Sequence, residues 1–446
     1  MKLLKNIIAI ILIAITTSTT LVFSQSPSSP YQAIRLNDGN PIITPSMFVG
    51  DPTEGENING PSMIRIPDWI DPADRADPSA QYYLYFAHHD GEYIRMAWAA
   101  DIEGPYTLYN DLGSRGGRGV LDNHGPDNNN PTDGDILLTN DVVIGFNHLA
   151  SPDVIIDDVN QRIILYFHSG PSFFVNGVQD NSQVTWVSTS DFGLDFYANI
   201  GPTHLGASYF RIFEHNNLLH ALDNGGRINR AISSTDPWAA PPGHDFLDRL
   251  WERPTDHLFN DAIEEPSSQL RVRHTGVKME GNQLQVFYSR RGEFQERIQL
   301  SFVDVTPPNL ADWVVTPANA SGFLDPIEIL TPNPGWEGGE RLLDNSEASA
   351  GVDVNQLRDP DIFEDSDGQI YMIYAGNGEG GLGIARLDET PTPNLSLTAT
   401  EDAHTREGSD SNFGTLDNLR ISAGPDPSDN RILYMKFDLT LSLIHI

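Results

Sequence analysis

Acid–base chemistry needs ionisable side chains gathered from distant parts of a chain, and here they recur at the edges of apolar runs. Asp153 lies in Ser151-Pro152-Asp153-Val154, and Asp359 and Asp361 lie in Arg358-Asp359-Pro360-Asp361-Ile362. A carboxylate so placed can activate water or protonate a leaving oxygen. Its plainer use is to cap the turn at a strand start. His89, His168 and His274 follow or begin three such runs. Imidazoles there can exchange protons, polarise a hydroxyl or ligate a metal, or simply be structural. Arg211, Arg290 and Arg358 are the cations of the set, with Arg291 and His88 beside them. A guanidinium fork grips a carboxylate or sulfate in bidentate fashion, or pairs with a local Asp.

These residues need elements to position them. The sequence shows no long stretch of apolar residues at helical spacing. It shows short runs rich in aromatic and β-branched residues, bounded by Gly, Asn, Asp and Pro. Tyr82 to Ala87, Arg162 to Phe167, Leu284 to Tyr288 and Ile370 to Tyr374 are the clearest. Each follows a second apolar strand, and five such openings stack. They begin at Gly60, Ser151, Ala207, His274 and Asp359, and the third is the weakest match. Their spacing is unequal, which suits radially repeated sheets joined by loops of different length. The expected fold is all-β, a five-bladed β-propeller, with a two-sheet sandwich as the alternative. In a propeller the innermost strands begin around one mouth of the axis. Asn59, Asp153, Arg211, His274 and Asp359 are therefore expected to converge there.

Ser151-Pro152-Asp153-Val154 and Arg358-Asp359-Pro360-Asp361-Ile362, each followed by an acidic turn and an aromatic strand, resemble blade openings of the five-bladed glycosidase superfamily. That superfamily includes glycoside hydrolase families 43, 32 and 117. Asn57 to Ser62, His148 to Val154 and Asn355 to Pro360 resemble an uncharacterised bacterial branch of it. The likeness covers about residues 45 to 388. It implies three axial carboxylates: a base or nucleophile, a second that tunes the acid, and the acid itself. Asp153 matches the second. The first falls near Asn59 or Gly60, neither of which is a base, although Glu54 and Glu56 lie upstream. For the acid, Glu296, Glu337 and Glu214 stay open. Trp336 and Tyr93 can offer stacking faces to a sugar.

The first reading of function is thus a secreted glycoside hydrolase-like enzyme, exo-acting at one axial pocket. A non-catalytic carbohydrate-binding propeller is the second. A polysaccharide lyase using His, Tyr and Arg is the third. Arginines gathered at an axis point to an anionic sugar. The chain has 62 acidic and 27 basic residues, a net charge of −35, and no cysteine. Disulfides and thiolate chemistry are excluded, and neither nucleic acid nor an anionic membrane is an expected partner. No cofactor is expected. The stretch Asp122 to Asp135 has the residues of a calcium loop without the spacing of an EF-hand. Lys2, Lys5, the apolar Ile7 to Ile15 and Val22-Phe23-Ser24 read as a signal peptide spanning 1–24. One domain is expected over 25–440, with a loop insertion at 101–147 and a flexible connector at 390–411. The tail 441–446 looks foreign, like a translated sequencing adapter.

Overall fold

The computed structural model describes residues 29–49, 52–89, 91, 93–109, 119–122, 135–137, 143–146, 148–170, 173–253, 258–259, 270–342, 351–390, 399–406 and 431–437. The expected signal peptide and tail lie outside these residues. So do Asn128 to Asn130 and most of the candidate calcium loop. Among the described residues no helix is long and apolar enough to cross a membrane.

The protein is all-β, built from antiparallel sheets. Five of them begin on the stacked openings. The first opens with Asn59–Arg65 and continues through Tyr82–Ala87 and Tyr93–Ala99. The second opens with Leu149–Asp157, followed by Arg162–Ser169 and Val184–Ser190. The third is Arg211–His215, Leu218–Leu222 and Ile228–Arg230. The fourth opens with Arg271–Glu280, then Gln283–Arg291 and Ile298–Asp304. The fifth runs Arg358–Glu364, Ile370–Gly376, Gly381–Glu389, and its outer strand is Tyr31–Arg35 from the start of the unit.

Side-chain alternation explains how the sheets pack. Tyr82, Leu84 and Phe86 join Ile373 and Ile384 of the fifth sheet. Tyr83 and Tyr85 point the other way, to Leu165, Phe167 and Trp186 of the second. The pattern repeats: Ile164 and Tyr166 meet Phe210 and Ala221, Leu222 meets Leu284 and Val286, and Phe287 meets Met372 and Tyr374. The middle strands of the first, second, fourth and fifth sheets are therefore apolar on both faces, which is why these runs are so plain in the sequence. Each large side chain so buried contributes about 1.5–3 kcal/mol.

Two expectations change. The 101–147 stretch is not simply a loop. It supplies Asp135–Leu137 and Val143–Phe146, which form a separate four-stranded sheet with Phe173–Val175 and Val178–Asp180. The expected connector contains the strand Ala399–Arg406, paired with Arg431–Phe437. That hairpin belongs to a second compact unit, residues 391–446, distinct from residues 1–390. A polar strand of this kind is readable only from its partner, the strongly β-prone Arg431–Phe437.

Candidate functional site

The opening strands share an unusual backbone. Gly60, Ser151, Tyr209, His274 and Asp359 all have left-handed dihedrals, with φ of 57°, 51°, 67°, 39° and 50°. Four of them sit where strand register slips against the next strand, so each is a bulge. For Ser, Tyr, His and Asp this conformation costs on the order of 1–3 kcal/mol each, and such strain collects at functional sites. The third sheet's equivalent position is Tyr209, two residues later than the sequence stack placed it. At Gly60 a glycine suits both the φ and the approach of Ser151, whose Cα would lie 3.4 Å from an added Cβ.

A cavity of about 690 Å³ opens at this ring. Asn59, His89, His148, His168 and His274 line it, with Tyr209, Arg271, Arg273 and Arg291. None of its described lining residues is Asp or Glu, in a chain with more than twice as many acids as bases. The carboxylates stand behind the lining. Asp359 is fully buried and bonds His274 Nδ1 through Oδ1, while its Oδ2 accepts from the Gly60 N–H at 3.3 Å. Glu379 lies 3.7 Å from His89 Nδ1 and 3.0 Å from Arg358, and also accepts from Asn57. Glu296 pairs with Arg273 at 3.0 Å and accepts from Ser289 at 2.6 Å. Asn57 in turn holds Asn59 and the His89 backbone, at 2.9 and 2.8 Å.

Protonation follows from these partners. Burial pulls the His274 imidazole below its ordinary range, although Asp359 opposes it. Asp359 itself is held far below a normal carboxyl by His274, Arg358 and Arg273, which outweigh its burial. Asp359 therefore accepts from a neutral His274 Nδ1–H, leaving Nε2 with a lone pair. Tyr209 stacks on His274 with ring centres 3.8 Å apart and 6° between planes. Burial and then Asp359 push its phenol well above the ordinary value, so it keeps its proton. His168 stacks on the same tyrosine at 5.1 Å, and burial keeps it neutral. Among the described residues no group of three or more potential ligands is arranged to hold a metal ion.

Two residues further along each strand lies a second ring: Ser62, Asp153, Arg211, Gly276 and Asp361. Ser62 accepts from the Val154 N–H at 2.9 Å, Asp153 from Ile212 at 2.7 Å and Asp361 from Met63 at 2.8 Å. Each thus ties its strand to the next sheet's strand. Arg211 is 2% exposed and donates to the carbonyls of Pro61, Pro152 and Thr275, in three other sheets. It lies 3.5 Å from Asp153. At Gly276 an added Cβ would lie 2.5 Å from the Pro360 carbonyl oxygen.

Of the residues singled out from sequence, Asn59, His89, His168 and His274 line the cavity, and Asp359 backs it. Asp153 and Arg211 belong to the second ring. The position equivalent to Gly60 in the second sheet is Ser151, and Asp153 lies two residues further along that strand. Glu296 and Arg358 are fully buried behind the lining. Arg290 pairs with Glu293 at 3.3 Å. Glu337 lies away from the cavity, bonded to Arg35 and Tyr374 at 2.7 Å each. Trp336 stacks on Tyr374 and donates to Gly39, and Tyr93 donates to Glu54 at 3.0 Å. Tyr209, His148, Arg271 and Arg273 were missed. Tyr209 lies before the first strand of its sheet with no following proline, and the arginines sit before the His274 opening.

No family model matches the chain. An uncharacterised protein of Acanthamoeba polyphaga mimivirus is 27% identical over 377 residues, covering 82% of this chain and 94% of its own. The solved structures that align with this chain include glycoside hydrolases. A putative glycoside hydrolase from Parabacteroides distasonis is 10% identical, with a TM-score of 0.47, over 82% of this chain and 97% of its own. A thermostable family-43 glycoside hydrolase is 14% identical, with a TM-score of 0.43, over 84% and 97%. An alpha-L-arabinofuranosidase from Lactobacillus brevis is 10% identical, with a TM-score of 0.43, over 78% and 92%.

Proposed function

We propose that this chain is an exported five-bladed β-propeller that cleaves an anionic polysaccharide by elimination, with His274 as base and Tyr209 as acid. The cyclic order of the five packed sheets supports the architecture. The observation that carries the chemistry is the stacked pair His274 and Tyr209 over the buried Asp359, in a cavity whose described lining holds Arg and His and no carboxylate.

Charge decides between reaction types. Hydrolysis passes through an oxocarbenium-like state, with positive charge growing on the sugar ring. Cations around the cavity oppose that. Elimination from a uronic acid places negative charge on the sugar carboxylate and its α-carbon, which the same cations favour. His274 Nε2 takes the proton from the carbon α to the carboxylate. The bond from the β-carbon to the glycosidic oxygen breaks, a carbon–carbon double bond forms, and Tyr209 gives its phenolic proton to the departing oxygen. The step consumes no water and no oxidant. Arg273, Arg271 and Arg291 are the groups suited to receive the carboxylate.

Hydrolysis is the second reading. His89 with Glu379 behind it gives a second histidine–carboxylate pair, so two proton-transfer groups face one cavity. One assay separates the two readings. Purified protein is incubated with polygalacturonate, alginate, hyaluronan and neutral arabinan. Elimination yields new reducing ends together with ultraviolet absorbance from the unsaturated product. New ends without absorbance support hydrolysis, and no new ends on any glycan count against both.

A further inference from the structure

A second cavity adjoins the first and has no part in the chemistry above. Its volume is about 630 Å³, and its walls include Asp180, His204, His244, Asp248 and Arg249. Gln183 lines both cavities. The Ser208 hydroxyl approaches Gln183 Oε1 at 3.5 Å, and Ser208 is the residue before Tyr209. One exposed side chain therefore marks the boundary between the two spaces, next to the tyrosine assigned as acid. Each volume falls within the range of about 300–1,000 Å³ typical of whole ligand sites.

The wall chemistry differs from that of the first cavity. Asp180 and Asp248 bring carboxylates, and the exposed Arg249 brings a cation. His204 is 5% exposed and sits with one ring nitrogen, Nε2, 3.1 Å from the Leu247 carbonyl. A carbonyl only accepts, so Nε2 carries the proton and Nδ1 is left as an acceptor. That Nδ1 has no hydrogen-bond partner. Burial keeps the ring neutral, which preserves the lone pair. A buried acceptor without a partner costs roughly 1–3 kcal/mol unless something donates to it. Acceptors from Asp180 and Asp248 together with the Arg249 donor, beside a neutral and buried His204, match a ligand rich in hydroxyl groups.

We propose that this second cavity binds the part of the glycan that extends past the reacting unit, so that the enzyme grips several sugar residues and cuts within a chain. The proposal rests on the carbohydrate reading of the first cavity. It departs from the exo-action expected of a single pocket. Occupancy would bear on Gln183 and, through Ser208, on the position of Tyr209. Longer substrates would then gain in rate as well as in affinity.

Size-graded galacturonic acid oligomers of two to six units provide the probe, with affinity read by calorimetry. The expected result is a gain of about tenfold or more between the dimer and the hexamer. Arg249→Ala removes much of that gain, and Gln183→Trp, which fills the passage, removes most of it. A hexamer that binds no better than the dimer overturns the second site and leaves the first reading standing. A gain with length that both variants retain also overturns it, because the extra units then bind elsewhere. Failure of every oligomer to bind tells against the anionic-sugar reading itself, and the second site falls with it. Circular dichroism and thermal denaturation of both variants establish that they are folded, and Arg249, being exposed, is the safer of the two.

Discussion

Two rings of side chains, two residues apart at the openings of the same five sheets, have opposite characters. The first, at the bulges, carries a stacked His274 and Tyr209, a buried Asp359 and left-handed backbone throughout. The second carries Ser62, Asp153, Arg211, Gly276 and Asp361, and nearly every polar atom there is spent on a neighbouring strand. The same residue types serve both. Asp359 orients an imidazole, whereas Asp361, in the same dipeptide repeat, holds a backbone N–H. A carboxylate's partner here is set by which side of the bulge it falls on.

The contrast can be broken most sharply at His274. His274→Asn keeps a residue that tolerates left-handed φ but removes the base. Turnover is expected to fall by about 10²–10⁴-fold, with the thermal midpoint nearly unchanged. An equal loss of both would place His274 with the second ring. Arg211→Met tests the other side. It strips the cation from between Asp153 and three carbonyls, and urea denaturation is expected to show a loss of about 3–5 kcal/mol. If stability holds while activity vanishes, the second ring is part of the chemistry after all.

Asp359→Asn has a smaller, more specific signature. The carboxylate favours the charged imidazole, so without it His274 deprotonates at lower pH. The acid limb of the kcat/KM profile should move to lower pH while activity drops by about tenfold or more. An unmoved limb would mean that another group sets it.

The mildest test concerns Asp361. Burial, with Asp153 adding to it, pushes its carboxyl up to about 7, from 3.8 in the unfolded chain. Between those values the native state holds a proton that the unfolded state has released. This group therefore lowers stability as pH rises from about 4 to about 7. Asp361→Asn still accepts from Met63 and removes that decline. The variant should melt above the parent at pH 8 and close to it at pH 4. A variant that melts below the parent at pH 8 would show that the ionised carboxylate stabilises the ring.

The sheets were legible because their middle strands are apolar on both faces. Tyr82 to Ala87 and Ile370 to Tyr374 can hardly be anything else. The site was half legible. His274 and Asp359 stand at the very start of their openings, and both reach the site. Asp153 lies two residues further along its strand, where it accepts from Ile212 and faces Arg211. Ser151, not Asp153, is the partner of Asp359 around the ring. Tyr209 escaped because it lies before the strand Arg211–His215, in a stretch without the proline that follows Gly60, Ser151 and Asp359. Glu337 looked catalytic in a Gly-Trp-Glu-Gly setting. Its actual partner, Arg35, lies some three hundred residues away, and no local pattern reveals such a pairing.

That distant pairing bears on the order of events during synthesis. Tyr31–Arg35 precedes every other described strand yet finds its place beside Gly381–Glu389, and Arg35 finds Glu337. The fifth sheet cannot be completed until nearly all of this unit has left the ribosome. Contacts this far apart in sequence form late and slowly. Until then Tyr31–Arg35 lacks its partner and is open to any other extended segment, including the same strand of a second molecule. The step most exposed to aggregation is therefore the fastening of the first strand to the last sheet, and a chain shortened at its start would stay in that unfinished state.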